Sequence, residues 1–307
     1  MNGTKYWIAL EQTHGIGPAQ MAEIHKVLKD RGLSLGDLRD LTVPEIKNEF
    51  GVQDKLAEAL SGIRRMTESV EEDYFKLLES SVEVIPFFSD KYPPRLHEML
   101  GSGIPPILYA WGNTALLNRR GVALLGDRDV SDKGSHIAFE AARLLSRHGI
   151  TVISGFARGV GLLSHRSALI HEGTTVAVVP YGRFHFSLPE MLGEVMDLER
   201  MAIVSPFYPS KEPDRYHAFM RNKIICALSL AVYIIEAPVE GGIFEAAKSA
   251  RNLKVPLFTT EYASYPKNAG GNRIILEEME GKPVLGTIEN DLMIPRMDAI
   301  IGVAKFG

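Results

Sequence analysis

Cysteine is almost absent from this sequence. Its single cysteine, Cys226, excludes an intrachain disulfide framework and a metal site built from several thiolates, as is typical of a protein in a reducing compartment. Apolar runs near the ~18 residues that span a bilayer are also lacking. The first residues show no basic region followed by an apolar stretch. We therefore expect a cytoplasmic protein that makes no membrane contact.

Positive charge is scarce as well. The chain has 34 lysines and arginines against 38 aspartates and glutamates, which gives a formal net charge of −4. Such a surface does not attract polyanions as a whole, so binding to nucleic acid requires a local basic patch or backbone donors. The 307 residues are otherwise ordinary in composition, and this length predicts one large domain with one or two small ones.

The N-terminal part has helical periodicity. Apolar residues recur at helical spacing over residues 1–75, and Gly15-Ile16-Gly17-Pro18 joins the first two predicted helices. A Gly-x-Gly turn that opens a helix is typical of helix-hairpin-helix modules, where free N–H groups can meet a phosphate. A plain connector with a tight turn has the same pattern. We predict a small all-helical domain, of helix-hairpin-helix or SAM-like type, over residues 1–75.

From Val82 onward, apolar runs alternate with amphipathic stretches. Runs of this kind, separated by helices, indicate a parallel sheet that is covered on both faces. We predict an α/β fold, an extended Rossmann-like and mostly parallel sheet over residues 82–285, followed by a short C-terminal tail over 286–307. The predicted strands are 82–87, 107–110, 122–125, 150–153, 175–179, 201–204, 230–235 and 255–258, and the predicted helices are 133–148, 160–171, 216–228 and 243–252.

Glycine-bearing and basic segments follow several of these strands, where sheets of this class bind ligands. Glycine allows close backbone approach, helix starts supply N–H donors, and arginine contacts phosphate with two nitrogens. No segment fits a dinucleotide or P-loop fingerprint, and each is also compatible with an ordinary connection. We predict a DNA- or phosphate-binding pocket built from Gly126, Arg128, Ser131, Gly134, Ser154, Gly155, Arg158, Gly159, Arg221, Asn222, Lys223, Gly241 and Gly242.

Residues for catalysis or metal binding are not evident. His165 and His171 are six positions apart and lie off a common helical face, which disfavours a two-histidine metal site. For His165 a buried, structural role is favoured over contact with a ligand. The sequence shows no activated nucleophile and no well-spaced acid/base pair. We predict a non-catalytic protein with no cofactor and no metal.

In their order, these segments resemble the DNA-processing protein A (DprA/Smf) family over about residues 82–277. The family patterns VGSRxxSxYG, SGxAxGIDxxAH and RNRxIxxLS are matched by Leu125-Gly126-Asp127-Arg128 with Ser131 and Gly134, by Ser154-Gly155-Phe156-Ala157-Arg158-Gly159 with His165, and by Arg221-Asn222-Lys223 through Leu228-Ser229. Asp127 replaces a family serine, and Lys223 replaces an arginine, which removes the planar fork. We expect a divergent member that lacks the C-terminal winged-helix domain often present in the family.

The resemblance implies single-stranded DNA binding without catalysis, in DNA uptake, transformation or recombination. It also implies a homodimer and delivery of DNA to a RecA-type recombinase, and it places Arg128, Ser131, Ser154, Gly155, Arg221 and Asn222 in the DNA pocket. The exposed edges of a parallel sheet and the apolar run 253–258 offer material for a contact between two copies.

Two alternatives stay open. One is a regulator of the same fold, an antitoxin-type partner that binds a cognate toxin in a phage-defence module. The other is a nucleotide-binding enzyme similar to phosphoribohydrolases, whose PGGxGTxxE loop is only faintly similar to residues 240–245. The scarce positive charge favours the first of these, and the missing threonine of the loop disfavours the second.

Overall fold

The computed structural model of the protein describes residues 3–289 and 292–306. In the described residues five α-helices precede the first strand: α1 (Thr4–Glu11), α2 (Pro18–Arg31), α3 (Val43–Phe50), α4 (Asp54–Ser61) and α5 (Ile63–Glu79). Local chemistry sets their ends. Pro18 and Pro44 lie in the first turns of α2 and α3. Backbone N–H groups in a first turn have no acceptor within the helix, so proline costs no hydrogen bond there. Gly32 and Gly51 end α2 and α3 in the left-handed conformation that glycine tolerates best.

Strands and helices alternate through the rest of the chain. The strands of the main sheet are β1 (Glu83–Pro86), β2 (Ile107–Gly112), β3 (Gly121–Leu125), β4 (Thr151–Gly155), β5 (Thr175–Val178), β6 (Met201–Ser205), β7 (Ala231–Ile234), β8 (Leu257–Thr260) and β9 (Lys282–Val284). The helices between them are α6 (Pro94–Leu100), α7 (Asp132–Arg147), α8 (Val160–Ile170), α9 (Glu190–Gly193), α10 (Arg215–Leu228), α11 (Gly242–Asn252) and α12 (Gly270–Glu278).

The sheet is mostly parallel. Its order is β1-β2-β6-β5-β4-β3-β7-β8-β9, and every neighbouring pair from β6 to β9 is parallel, whereas β1 and β2 form an antiparallel edge. The chain proceeds from β3 outward to β6 and then returns to place β7 beside β3. This reversal leaves a crevice at the carboxyl ends of β3 and β7, the usual ligand position in such sheets. The predicted Rossmann-like architecture is confirmed.

Both faces of the sheet are covered, which explains why its central strands are almost entirely apolar. Val122 and Leu124 of β3 belong to a buried cluster with residues of α7 and α8, whereas Ala123 and Leu125 pack on the opposite side with α6, α10 and α11. Alternate residues of a strand point to opposite faces, so each face needs its own layer of helices. Because helices cover both faces, the loops that carry the glycine and arginine motifs are accessible only at the ends of the strands.

The N-terminal helices share a core with the sheet. Trp7, Leu10 and Leu77 lie in the same buried cluster as Tyr109 of β2 and Ile203 of β6. The segment predicted as a tail contains β10 (Gly286–Glu289), β11 (Leu292–Pro295) and α13 (Asp298–Phe306). The boundaries 1–75, 82–285 and 286–307 stay predictions. Among the described helices, none is long and apolar enough to cross a membrane.

The apolar run 253–258 is not available for a contact between copies. β8 lies between β7 and β9, and the side chains of Val255, Leu257 and Phe258 are buried. The prediction that this run offers dimer surface was wrong, because a strand in the sheet interior uses its apolar residues for the core on both faces.

A partly buried acid joins the helical part to the sheet. Tyr109 Oη donates a hydrogen bond to Glu11 Oε2 at 2.6 Å, and close by Tyr208 Oη donates to Asp73 Oδ2 at 2.7 Å. Burial raises the pKa of Glu11 from 4.5 to about 7, against the opposing effect of its hydrogen bonds to Tyr109 and Gln12. In the folded protein Glu11 is therefore protonated at mildly acidic pH, where a free glutamate is ionised.

We expect Glu11 to make the protein less stable as the pH rises from about 4.5 to about 7. Between these values the folded state binds more protons than the unfolded state. The stability that the protonated Glu11 contributes is therefore fully present below the unfolded-state pKa, and it is lost as the pH rises through the folded-state pKa. The pKa shift limits this contribution to the free energy of unfolding to about 3 kcal/mol. Glu11→Gln removes the titration. Urea unfolding should show the stability of the variant, relative to the parent, increasing across this window, and a constant difference would contradict the prediction.

Candidate functional site

A cavity of about 490 Å³ opens where the strand order reverses. The loop after β3 supplies Gly126, Asp127, Arg128 and Asp129, and the loop after β4 supplies Ala157. The segment after β7 and the start of α11 form a second wall. α10 closes the third side. The further lining residues are Arg215, Ala218, Phe219, Arg221, Asn222, Pro238, Gly241, Gly242, Ile243 and Glu245.

Glycine at two positions brings the walls together. Gly159 has φ +80°, and a Cβ atom there would lie 2.3 Å from the carbonyl oxygen of Asp127, so the loops after β3 and β4 touch only with glycine at this position. A Cβ on Gly155 would lie 1.8 Å from Nη1 of Arg221. The guanidinium of Arg221 therefore rests directly on the backbone at the end of β4.

Arg221 is a buried cation without an acidic partner among the described residues. Its side chain is 6% exposed, Nη1 donates to the carbonyl of Val178 at 3.2 Å, and Nε is buried without a hydrogen bond. Burial, followed by the charge of Arg128, lowers the pKa of Arg221 to about 10. The group is still charged at neutral pH. In the described part of the chain no carboxylate pairs with it, so the position is suited to an anion from outside.

Two further arginines surround the same space. Arg128 and Arg215 are exposed, and neither forms an ion pair with any described residue. The cavity also has acidic residues, but Asp129 is paired with Arg158, and Glu245 accepts from Lys248 at 2.6 Å. The third, Asp127, accepts the backbone N–H of Asp129 at 2.7 Å. Three guanidinium groups thus face one cavity, with two of its three acids already paired.

Backbone donors complete the cavity. α11 begins after Gly241, whose φ is +103°, and its first turn has no side-chain cap. Gly241, Gly242 and Ile243 line the cavity, so the uncapped N–H groups and the positive end of the helix dipole lie at its wall. Asn222 ties this turn to α10, since its Nδ2 donates to the carbonyl of Gly242 at 2.9 Å.

Six of the thirteen predicted residues line this cavity: Gly126, Arg128, Arg221, Asn222, Gly241 and Gly242. Gly155 and Gly159 do not line the cavity, but they contact Arg221 and the backbone of Asp127, which do. Arg158 is exposed and forms an ion pair with Asp129. Lys223 lies on a different side of α10 and borders another cavity. The binding role of all thirteen stays a prediction.

Ser131, Gly134 and Ser154 stabilise the loops from within. Ser131 Oγ accepts from the N–H of Gly134 at 3.0 Å, which caps α7, and it donates to Oε1 of the buried Glu236 at 2.5 Å. Tyr262 Oη donates to the same oxygen at 2.9 Å. Ser154 Oγ donates to the carbonyl of Leu124 at 2.6 Å. None of these three lines the cavity, and their hydrogen bonds fix the positions of the loops that do.

Sequence reasoning missed Arg215 and Phe219. Both line the cavity from α10, and Phe219 presents an aromatic ring that is 38% exposed. The available signal was spacing, because Arg215, Phe219 and Asn222 are four and seven positions apart and share one helical face.

His165 has the structural role that the sequence favoured. It is fully buried, and its Nδ1 lies 2.6 Å from Oγ1 of Thr175. Burial lowers the pKa of His165 to about 3, so the ring is neutral at physiological pH. No group of three or more potential metal ligands occurs among the residues that the structure describes.

The fold and this cavity define a Rossmann-like α/β protein that presents arginines and an uncapped helix start at its topological switch point. The profile of the DNA recombination-mediator protein A family matches residues 83–289. The chain belongs to this family, and the resemblance seen in the sequence is confirmed.

Curated relatives agree with this assignment. The chain is 28% identical to Protein Smf from Synechocystis over 92% of its own length and 73% of the relative. It is 27% identical to the DNA processing protein DprA of Bacillus subtilis, with 63% of this chain and 65% of that protein covered. The match to a DNA processing protein DprA of Mycobacterium tuberculosis spans 39% of that protein. Parts of some relatives thus have no counterpart in this alignment.

Two solved structures are similar. DNA processing protein A from Streptococcus pneumoniae superposes with a TM-score of 0.70 at 21% identity and covers 92% of this chain and 95% of its own, which shows the common fold. The Helicobacter pylori protein, described for its single-stranded DNA binding mode, gives a TM-score of 0.55 at 25% identity over 62% of this chain and 86% of its own.

Proposed function

We propose that this protein binds single-stranded DNA through the cavity at the switch point and acts in DNA processing and recombination without catalysis. The observation that carries the proposal is the buried guanidinium of Arg221, which has no acidic partner among the described residues and an unused Nε donor. Family membership favours this function over the regulator and the phosphoribohydrolase-like enzyme.

The cavity contains the groups that a single strand requires. Phosphates are matched by Arg128, Arg215 and Arg221 and by the N–H groups at the start of α11. Phe219 offers a face for an unpaired base, and stacking of this kind tolerates any base. A duplex keeps its bases stacked inside and is too stiff to bend phosphates into a crevice between loops, so the geometry favours a flexible strand.

Further parts of the proposal rest on the resemblance to the family. These are a homodimer and delivery of the strand to a RecA-type recombinase. The cytoplasmic location is proposed separately, from the single cysteine. The similar protein from Helicobacter pylori is described as having a single-stranded DNA binding mode, which supports the same ligand here. Sedimentation at micromolar concentration tests the dimer, since a monomer would count against it.

The purified protein is expected to bind a single-stranded oligonucleotide more tightly than a duplex of equal length. Fluorescence anisotropy at several salt concentrations measures this affinity. For each tenfold increase in salt, log K should fall by about 0.7 per phosphate neutralised, and we expect about two to four phosphates to be engaged. Equal affinity for the duplex, or no dependence on salt, would contradict the proposal. Incubation with nucleotides in the same preparation should release neither base nor phosphate.

A further inference from the structure

α10 presents two different faces to two different cavities. Arg215, Phe219 and Asn222 face the cavity described above. Tyr216, Met220 and Lys223 are four and seven positions apart, so they form a second stripe along the same helix. This second stripe borders a separate cavity of about 200 Å³. One helix of 14 residues thus separates two concave surfaces.

The second cavity is almost entirely apolar and carries one charge. Its other walls come from the end of α6 and the segment before β2, from the loop after β6 and from Pro18 at the start of α2. Lys223 is the only charged residue among its lining residues, and it forms no ion pair with any described residue. The lining residues are Pro18, Leu100, Gly103, Ile104, Pro105, Pro106, Pro206, Phe207, Tyr216, Met220, Lys223 and Ile224.

Two aromatic rings stand at this cavity. Tyr216 is 66% exposed, far more than a tyrosine that completes a core. Phe207 is held by a ring contact with His217, with centroids 4.2 Å apart. Single exposed aromatic residues are common on protein surfaces. Here, however, the exposed ring lies beside an apolar cavity and an unpaired lysine, on the helix that also forms the arginine-lined cavity.

We propose that this second cavity, which we call the base cavity, receives a nucleobase of the same DNA strand whose phosphates occupy the arginine-lined cavity. The inference rests on the proposed function. Tyr216 stacks on the base, the apolar walls enclose it, and Lys223 neutralises a phosphate of the strand on this side of α10. A base has two flat apolar faces and a polar edge, so it fits an apolar cavity with an open mouth.

Charge and continuity identify the occupant. The base cavity has a positive charge and no acidic lining residue, in a protein whose net charge is −4, which suits a segment that carries negative charge beside an apolar group. A strand that leaves the first cavity must cross α10, whose diameter with side chains is about 10 Å, before it reaches the second. Only an oligonucleotide of several nucleotides can therefore occupy both cavities.

The test compares two lengths of oligothymidylate, about four and about twelve nucleotides. Tyr216→Ala is expected to weaken binding of the longer strand about tenfold and of the shorter strand less than about twofold. Tyr216→Phe should bind like the parent, because stacking needs the ring and not the hydroxyl. Phe306→Ala is the matched control, since it removes an aromatic ring that is 88% exposed on α13, which packs with the other face of the sheet.

Two further measurements distinguish stacking from a general effect. A long strand with abasic sites should bind the parent more weakly and be insensitive to Tyr216→Ala. Lys223→Gln should reduce the salt slope for the long strand by about 0.7 and leave that of the short strand unchanged.

Failure of this inference differs from failure of the proposed function. If Tyr216→Ala binds both lengths like the parent while Arg221→Ala loses both, the base cavity is wrong and the proposed function stands. If Tyr216→Ala alters sedimentation and leaves DNA affinity unchanged, the cavity receives a second copy, and the inference is overturned. If the parent binds neither strand, both proposals fail.

Discussion

Arg221→Ala is expected to weaken the binding of single-stranded DNA by about 10- to 100-fold, the range for the loss of a charge-assisted contact. The guanidinium is the buried positive charge of the cavity, and its Nε has no hydrogen-bond acceptor among the described residues. The loss should appear in anisotropy titrations at every strand length. Lys223→Ala, on the other face of α10, should cost less.

Folding controls separate this loss from general damage. Arg221→Met keeps an unbranched apolar stem without the guanidinium and its charge, and it should lose DNA affinity to the same extent as Arg221→Ala. Because it removes an unpaired buried charge, its urea midpoint should equal or exceed that of the parent. Arg147→Ala, at the far end of α7, is the matched arginine control and should bind DNA normally. Unchanged affinity in both Arg221 variants would exclude Arg221 from the interface.

Gly155→Ala is expected to reduce DNA affinity about as strongly as the loss of Arg221. The new methyl group would lie 1.8 Å from Nη1 and 2.6 Å from Cζ of Arg221, so the guanidinium has to leave its position. The end of a long side chain can move at moderate cost, and we expect a loss of stability of about 1–3 kcal/mol. Anisotropy and urea unfolding of the same preparation measure the two effects.

A double-mutant cycle tests the cause. In the Arg221→Ala background the methyl group meets no guanidinium, so Gly155→Ala should cause no further loss of affinity. Gly193→Ala is the control, because a Cβ there has no neighbour within 4 Å. Additive losses in the cycle would mean that Gly155 acts by another route than the placement of Arg221.

The fold could be predicted from the sequence because both faces of the sheet are covered. Strands such as Ala231–Ile234 are then hydrophobic at every position, and the helices between them are amphipathic. Elements without that signal were missed. β9 has the sequence Lys-Pro-Val, and the segment after it was predicted as a tail, although Ile300 and Ala304 of α13 are buried.

The candidate site was predictable where glycine and arginine follow a strand, as at Gly126 and Arg128. It was less so on α10, because only the orientation of a helix shows which side chains reach a cavity. Arg215 and Phe219 were therefore missed. Ser131 carries a family motif, yet its hydroxyl is engaged by Glu236, a residue 105 positions later in the chain. Sequence alone does not show whether such a hydroxyl faces a ligand or a neighbouring loop.

The unpaired guanidinium of Arg221 also couples ligand concentration to the folded state. Any small anion that enters the cavity and pairs with this guanidinium binds the folded protein and not the unfolded chain, and at a concentration of a hundred times its Kd it stabilises the fold by about 2.7 kcal/mol. Inorganic phosphate and sulfate should thus raise the melting temperature and compete with DNA for the same position. The apparent affinity for a strand is then set partly by the phosphate content of the surrounding solution, so a phosphate buffer weakens binding beyond what its ionic strength explains.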